Sequence, residues 1–478
     1  MLHLYDTYTR SLRAFTSLVP NQVRLYSCGP TVYDYQHIGN MRTYLMCDGL
    51  KRVLKLNAYE VQHVMNITDV GHLVGDGDEG EDKMEKGSRR TGQSAWNIAA
   101  LYTDIFLQDV KALNIGMPTV LCKATDHIKE QIEFVQDIER KGFTYRTSDG
   151  IYFDTSKQAN YGYLGRLDKD GLQAGSRVDI GEKRNATDYA LWKFSKPEEK
   201  RQMEWPSPWG IGFPGWHIEC SAMAQHFLGD YFDIHTGGED HITVHHTNEI
   251  SQTEARLSPE TNNTRLANFW VHGYFLLLNN AKLSKSNNDG FLRVQLLIDK
   301  AYDPLAYRYL CMTAHYRGQL SFTWEALEAA QTALNRIRKQ YFDAKIANPK
   351  PTSSSTELES LATPKGAQEF QDEFLRCLND DLNFPKALAV FHKAWSSDLS
   401  PTEKLLFSDY ADQALGLNLS NWRPAEVVVP PEIQQLAQSR WEAKTAKDWA
   451  RADAIREQLN KLGWQMKDAA TDFELKPL

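Results

Sequence analysis

Cys28, Cys220 and the segment H-I-T-V-H-H-T-N-E from His241 to Glu249 hold the side chains of this sequence best suited to chemistry. Thiol sulfur, imidazole nitrogen and carboxylate oxygen are the donors that Zn²⁺ takes, commonly four at a time. The segment cannot ligate with all its members from a single helix. His246, Ile250, Thr253 and Leu257 recur at helical spacing, a stripe that puts His246 on the packed face as a core histidine. His245 and Glu249, four apart, share the adjacent face and could hold one ion between them. Two cysteines far apart in sequence serve equally well as unrelated buried residues, so the residues alone leave both readings open.

Cys28 gains weight from its surroundings. It lies in L-Y-S-C-G-P-T-V-Y-D-Y-Q-H-I-G-N-M-R, Leu25 to Arg42, where a short apolar strand passes through a Gly-Pro turn into a helix that starts near His37. Such a helix start offers unpaired N–H groups and the positive end of its dipole to an anion, and Gly39 removes the Cβ that would hold a nucleotide away. A second strand, Tyr59 to Thr68, completes a right-handed parallel crossover, the unit that places ligands beyond the carboxyl ends of its strands. An ion on Cys28 would face a substrate held beside that nucleotide. K-L-S-K-S, from Lys282 to Ser286, forms a distant partner loop.

These residues need a frame, and the chain is long enough to supply several. At 478 residues it exceeds one core and predicts three or four domains of about 150 residues each. Residues 1–125 and 206–278 read as two parts of a Rossmann-type, doubly wound parallel sheet. The first part ends in a helix from Ser94 to Leu113. The second runs helix His217 to Leu228, strand Tyr231 to His235, helix His245 to Leu257, strand Phe269 to Leu278. Residues 126–205 are an inserted α+β domain with a helix from His127 to Lys141 and a hairpin at Ser148-Asp149-Gly150. Residues 279–322 carry the K-L-S-K-S loop. Residues 323–423 form a helical bundle, with Leu327, Ala330, Leu334, Ile337 and Tyr341 on one face and Asn383 and Pro385 opening a further helix. The break from Arg423 to Glu432 isolates a small, mainly helical module, 431–478, with helices from Ile433 and from Asp448 to Leu462 and a short tail after Gly463.

Composition narrows the function by exclusion. Hydrophobic content of 42%, no apolar run near the roughly 20 residues of a membrane span and an N-terminus without an apolar h-region argue against membrane insertion and export, so the cytoplasm is expected. Cys28, Cys47, Cys122, Cys220, Cys311 and Cys377 form no disulfide framework. A net charge of −8 does not advertise a polyanionic partner, and RNA binding would need its positive charge concentrated locally. The acidic loop from Asp76 to Asp82 fails as a calcium loop, because Gly80 sits where an oxygen is needed and Glu81 where the glycine belongs.

Taken together these segments resemble the class I aminoacyl-tRNA synthetases, and among them the cysteinyl-tRNA synthetase family, over essentially the whole chain. H-I-G-N (His37 to Asn40) is similar to the H-I-G-H signature of that class and K-L-S-K-S to its K-M-S-K-S signature. G-W-H-I-E-C-S-A-M (Gly215 to Met223) and H-H-T-N-E (His245 to Glu249) are similar to the family's zinc-bearing segments. The resemblance implies one Zn²⁺ per chain on Cys28, Cys220, His245 and Glu249, binding the substrate thiolate. A plain pocket separates near-isosteres by about 10- to 200-fold, so a metal–sulfur bond would make a separate editing site unnecessary. It implies a reaction in which the carboxylate of L-cysteine attacks the α-phosphate of ATP, accompanied by Mg²⁺, before the acyl group moves to the terminal ribose of tRNA(Cys). His37, Asn40, Lys282 and Lys285 would be catalytic, with Gly39 and Lys285 on the nucleotide. Thr68, Trp216, His217 and His235 match positions lining the family's amino-acid pocket.

Two departures stand in the signatures. Leu283 for methionine conserves volume. Asn40 for the second histidine donates a hydrogen bond but carries no charge, a difference of up to roughly tenfold in rate. The residues after the loop, N-N-D-G-F, also differ from the usual L-G-N-F. The last module resembles the family's anticodon-binding domain, where Trp449 would stack on a base, Asp453 accept from a base edge and Lys444 meet a phosphate. A monomer is expected. The competing readings are a ligase joining cysteine to a small-molecule amine, which would lack the last module, and a non-enzymatic nucleotide-binding protein with structural zinc, against which Lys282 and Lys285 argue.

Overall fold

The computed structural model describes residues 1–71, 82–167, 182–196, 201–257, 265–278, 292–348, 364–424, 429–468 and 472–477, with the backbone of 281–282. The chain forms two compact units, Met1–Ser420 and Asn421–Leu478. Among the described residues no helix is long and apolar enough to cross a membrane.

The larger unit opens on an antiparallel hairpin, β1 (His3–Asp6) and β2 (Ser11–Ala14). β3 (Gln22–Ser27) then leads through the Gly-Pro turn into α1 (Ile38–Leu56), and β4 (Glu60–Ile67) returns parallel to β3. The chain continues through α2 (Lys83–Thr91) and α3 (Ala95–Ala112), whose N-cap Ser94 accepts from Asn97 N–H at 3.1 Å, to β5 (Val120–Lys123), parallel to β4. Of the acidic loop, only Asp82 lies within the described residues, as the N-cap of α2, paired with Arg201.

An insertion comes next: α4 (Ile128–Arg140), then an antiparallel sheet of β6 (Thr144–Arg146), β7 (Gly150–Phe153), β8 (Tyr189–Phe194) and β9 (Gly212–Pro214) in that order. Its last strand runs past the expected boundary at 205. The main sheet resumes with α5 (Trp216–Leu228), β10 (Phe232–Gly238), α6 (His245–Arg256) and β11 (Ala267–Gly273). The five parallel strands stand in the order β11-β10-β3-β4-β5, so the winding reverses between β3 and β10. A crevice at that reversal is where a doubly wound sheet binds its ligand. Consecutive residues of β3 face opposite cores: Leu25 joins the one under α1, Tyr26 the one shared by α5 and the insertion.

The strand expected from Phe269 to Leu278 is broken. β11 stops at Gly273, and β12 (Leu276–Leu278) joins a separate sheet between β13 (Ala281–Lys282) and a later strand. The guanidinium of Arg42 on α1 donates to the Phe275 carbonyl at 2.8 Å and so satisfies the backbone exposed by the break. Then come α7 (Val294–Asp299), α8 (Pro304–Met312) and β14 (Leu320–Phe322), the outer partner of β12. Among the described residues four helices complete the unit, α9 (Trp324–Ala347), α10 (Lys365–Leu378), α11 (Phe384–Trp395) and α12 (Pro401–Leu415). The expected stripe on α9 is buried, and Asn383 caps α11. Asp48 of α1 ties this region to the sheet: it pairs with Arg308 of α8 at 2.6 Å and Arg52 at 2.7 Å and accepts from Gly116 N–H at 2.9 Å.

The smaller unit packs α13 (Pro431–Thr445) on α14 (Trp449–Lys461) around Ile433, Ala437, Ile455 and Leu459. Gly463, at φ +81°, turns the chain after α14. In place of the expected plain tail the chain then forms a hairpin, β15 (Trp464–Asp468) and β16 (Phe473–Pro477). Trp464, Met466, Phe473 and Leu475 alternate along it and pack onto the same core.

Candidate active site

The crevice is built where β3, β4 and β10 end. Gly29 follows Cys28 at the point of closest approach between β3 and β4: a Cβ there would lie 1.5 Å from the Asn66 carbonyl oxygen. Its N–H donates to Asn66 Oδ1 at 2.8 Å, which fixes the turn. Cys28 is thereby aimed at Cys220, in the second turn of α5, with the two Sγ atoms 4.0 Å apart. From α6, His245 Nε2 lies 3.4 Å from Cys220 Sγ and 3.0 Å from Glu249 Oε1, and Cys28 Sγ is 3.8 Å from the same oxygen. The four residues expected to hold zinc thus converge, with their ligand atoms all within 4.8 Å of one another.

His246 is fully buried, as the face argument required, against the Trp270 ring at 5.0 Å but also among other histidines. Its Nε2 is 3.3 Å from Cys28 Sγ and its Nδ1 2.7 Å from His272 Nε2, and His272 Nδ1 meets Thr7 Oγ1 at 2.8 Å. Cys28, His235, His246 and Glu249 form a second, overlapping group of ligand types. Three members of the first group, Cys28, Cys220 and His245, line the crevice, whereas of the second group Cys28 alone does among the described residues, and His235 stands behind Glu249, its Nε2 2.7 Å from Oε2.

The charge state of the cluster follows from its burial. Burial raises the Cys28 thiol well above its ordinary value, reinforced by its hydrogen bond to Cys220. That bond lowers the Cys220 thiol, against burial, to about 7. Burial opposes protonation of His245, but the neighbouring Cys220 and Glu249 outweigh it and raise it to about 10. For His246 and His272 burial prevails, and both are pushed well below the ordinary histidine range. Two thiols, an imidazole and a carboxylate withdrawn from water in this way fit a borderline-soft dication, whose charge would stabilise both sulfurs as thiolates; an all-oxygen site would be needed for Mg²⁺ or Ca²⁺.

The crevice encloses about 240 Å³. Asn40, Thr43 and Tyr44 of α1 line one side, Asn66 and Thr68 a second, Trp216 and Cys220 a third, and Gly238, Asp240 and His241 a fourth. Thr68 donates to Glu219 Oε2 at 2.8 Å. Trp216 packs its ring on His245, with centroids 4.8 Å apart. His217 does not line the crevice; its Nδ1 lies 3.0 Å from His245 Nδ1 and so bears on the orientation of that ring. Tyr33, Gln36 and Asp240 are lining residues without an individual sequence signal, the first two between the Gly-Pro turn and α1 and the third just beyond the glycine pair ending β10, while His241 opens the histidine-rich segment.

His37 is the N-cap of α1, and Asn40 completes a reciprocal capping box. Asn40 N–H donates to His37 Nδ1 at 3.0 Å, and His37 N–H donates to Asn40 Oδ1 at 3.2 Å. An Nδ1 that accepts leaves the proton of the neutral ring on Nε2. Gly39 is the second residue of α1. Lys282 ends β13, paired with Leu277; Lys285 and the rest of the K-L-S-K-S loop lie outside the described residues. In the smaller unit Trp449 stands at the first turn of α14 with 59% of its surface exposed, in contrast to Trp441, which packs in the core. Lys444 pairs with Asp468 at 2.8 Å and Asp453 with Arg456 at 3.2 Å.

This architecture is that of the class I synthetases. Methionyl-tRNA synthetase of Mycobacterium tuberculosis in complex with methionyl-adenylate superposes with a TM-score of 0.55 at 13% identity, over 84% of this chain and 90% of that one. A leucyl enzyme of Agrobacterium radiobacter K84, in a ternary complex with tRNA, gives 0.57 at 12% identity over 86% and 87%. The family profile described as "tRNA synthetases class I (C) catalytic domain" matches residues 14–332. Cysteine–tRNA ligase 1 of Burkholderia lata is 55% identical over 98% of this chain and 95% of its own length. The corresponding ligases of Novosphingobium aromaticivorans and Treponema denticola are 42% and 39% identical, over 98% and 100% of this chain and 95% and 100% of theirs. The chain belongs to the cysteine–tRNA ligase family.

Proposed function

We propose that this chain is a cysteine–tRNA ligase, which joins the carboxylate of L-cysteine to the α-phosphate of ATP, releasing pyrophosphate, and passes the cysteinyl group to the 3′-terminal ribose of tRNA(Cys). The observation that carries the reading is the convergence of Cys28, Cys220, His245 and Glu249, drawn from three separate elements, on a crevice whose other wall is the start of α1. Zn²⁺ held by these four residues would supply a Lewis acid that favours the thiolate form of a substrate sulfur, for which a serine hydroxyl competes poorly.

The chain itself positions and neutralises charge, and no protein nucleophile is required. His37 presents its Nε2–H, and α1 its dipole, to the triphosphate. Gly39 allows the close approach, Lys282 and Lys285 offset the phosphate charge, and Mg²⁺ arrives with ATP. Asn40 holds the helix start. Thr68 and Trp216 border the amino acid, while His217 and His235 hold His245 and Glu249 from behind. In the smaller unit the exposed ring of Trp449 suits base stacking, with Lys444 and Asp453 beside the same RNA. We assign a monomer working in the cytoplasm. The test is Cys220→Ser, with bound zinc and cysteine-dependent exchange of pyrophosphate into ATP measured on one preparation: both should be lost together, and retention of both would remove the metal from the reading.

A further inference from the structure

We infer that the larger unit carries a second transition-metal site, formed by His127, Glu130 and His226. His127 is the N-cap of α4, Glu130 lies in the first turn of that helix, and His226 lies in the last turn of α5. The Nδ1 atoms of the two histidines face the two oxygens of one carboxylate: His127 Nδ1 is 3.7 Å from Glu130 Oε2, and His226 Nδ1 is 3.9 Å from Oε1. The three ligand atoms lie within 4.8 Å of one another.

Both contacts are too long for hydrogen bonds. His127 Nδ1 is nonetheless buried and has no hydrogen-bond partner, a condition that costs free energy unless something occupies the gap. Two metal–ligand bonds of about 2.1 Å meeting at a tetrahedral angle set their donor atoms roughly 3.4 Å apart, so an ion draws each histidine toward the carboxylate by a few tenths of an ångström and closes the gap between the two imidazole nitrogens, which lie within 4.8 Å. The rings are already braced: Phe227 packs edge-on against both, at 5.2 Å from His127 and 4.7 Å from His226. Two imidazoles and a carboxylate select Zn²⁺, Co²⁺, Ni²⁺ or Cu²⁺ over Mg²⁺ and Ca²⁺, and the partial exposure of His226 leaves a position for water. An ion there would clamp the first helix of the insertion to the helix that bears Cys220.

The test compares full-length wild type with His226→Asn, His127→Asn and Glu130→Gln. Each is dialysed against excess Zn²⁺ to count bound metal and, separately, titrated with Co²⁺ while visible spectra are recorded. Wild type should bind one more equivalent than every variant. The cobalt accounting for the difference should show d–d absorption without a sulfur-to-metal charge-transfer band, because this site holds no thiolate. Glu130→Gln preserves size and helix and carries the comparison should a histidine variant not fold. Equal metal counts, or a charge-transfer band in the difference spectrum, would overturn the assignment.

Discussion

Asn40 offers the sharpest test of how the start of α1 works. Alanine at this position removes the acceptor of the His37 N–H bond at 3.2 Å and keeps the Asn40 N–H bond to His37 Nδ1 at 3.0 Å. One neutral hydrogen bond contributes about 0.5 to 1.5 kcal/mol net, so Asn40→Ala should slow activation by roughly two- to tenfold and lower the melting temperature slightly. Asn40→Asp separates the two effects. The carboxylate still accepts from His37 N–H and adds a negative charge in the first turn, worth about 0.3 to 1 kcal/mol to the helix, so stability should equal or exceed that of the wild type. On the proposed function the same charge would border the triphosphate; like charges about 4 Å apart repel by roughly 4 kcal/mol at an effective dielectric near 20, so exchange should fall well over tenfold. The assay is pyrophosphate exchange across ATP concentrations, with thermal unfolding on the same samples. An aspartate variant that melts below the alanine variant, or an alanine variant that alone loses more than about a hundredfold, would refute this role for the capping box.

Other consequences concern the frame and the partner. Asp48→Asn keeps the shape of a side chain that is 3% exposed but strips Arg308, itself 2% exposed, of its counter-charge, and should cost about 3 to 5 kcal/mol in a urea melt at neutral pH. Burial raises the Asp48 carboxyl, but Arg308 and Arg52 outweigh it and hold it below its ordinary value. Its contribution is therefore present above about pH 4 and is lost as the pH falls through the folded value, so the gap between wild type and variant should close in acid; a gap that ignores pH contradicts the pairing. Ending the chain after Ser420 should spare pyrophosphate exchange and sharply reduce charging of tRNA, and an equal fall in both would detach the last unit from RNA. Trp449→Ala should raise the KM for tRNA by about 5- to 150-fold, the worth of one stacked base, with exchange unchanged.

The frame of the site is legible in sequence wherever one residue type does one local job. Ser94 and Asn383 announce their helices as N-caps, the leucine stripe of α9 announces its buried face, and the Gly-Pro turn between β3 and α1 leaves few alternatives. Of the four converging residues, His245 and Glu249 were readable from their shared helix face, whereas Cys28 and Cys220 followed from the family resemblance. Periodicity reports that a residue is buried but not what it is buried against. His246 therefore reads as a core residue while it sits in a ring of histidines contributed by β10, α6 and β11. The break between β11 and β12 was hidden for a similar reason, since it depends on Arg42, more than two hundred residues upstream. The hairpin of β15 and β16 was missed because five-residue strands at a chain end give too short an alternation to stand out.

The position of β10 beside β3 has a consequence for biosynthesis. Arg24 N–H donates to Asp233, 209 residues further along, and Leu25 pairs with Ile234. At a translation rate of about 5 to 20 residues per second, one edge of β3 stays bare on the ribosome for roughly 10 to 40 seconds, an open template for wrong strand pairing. For most of that interval the Cys28 thiol is made but Cys220 is not, and His245 and Glu249 follow only after β10. The newborn first half of the sheet thus depends on whatever shields it at the tunnel mouth, and substitutions that slow completion of β10 would be felt as poor yield of protein before any loss of activity per molecule.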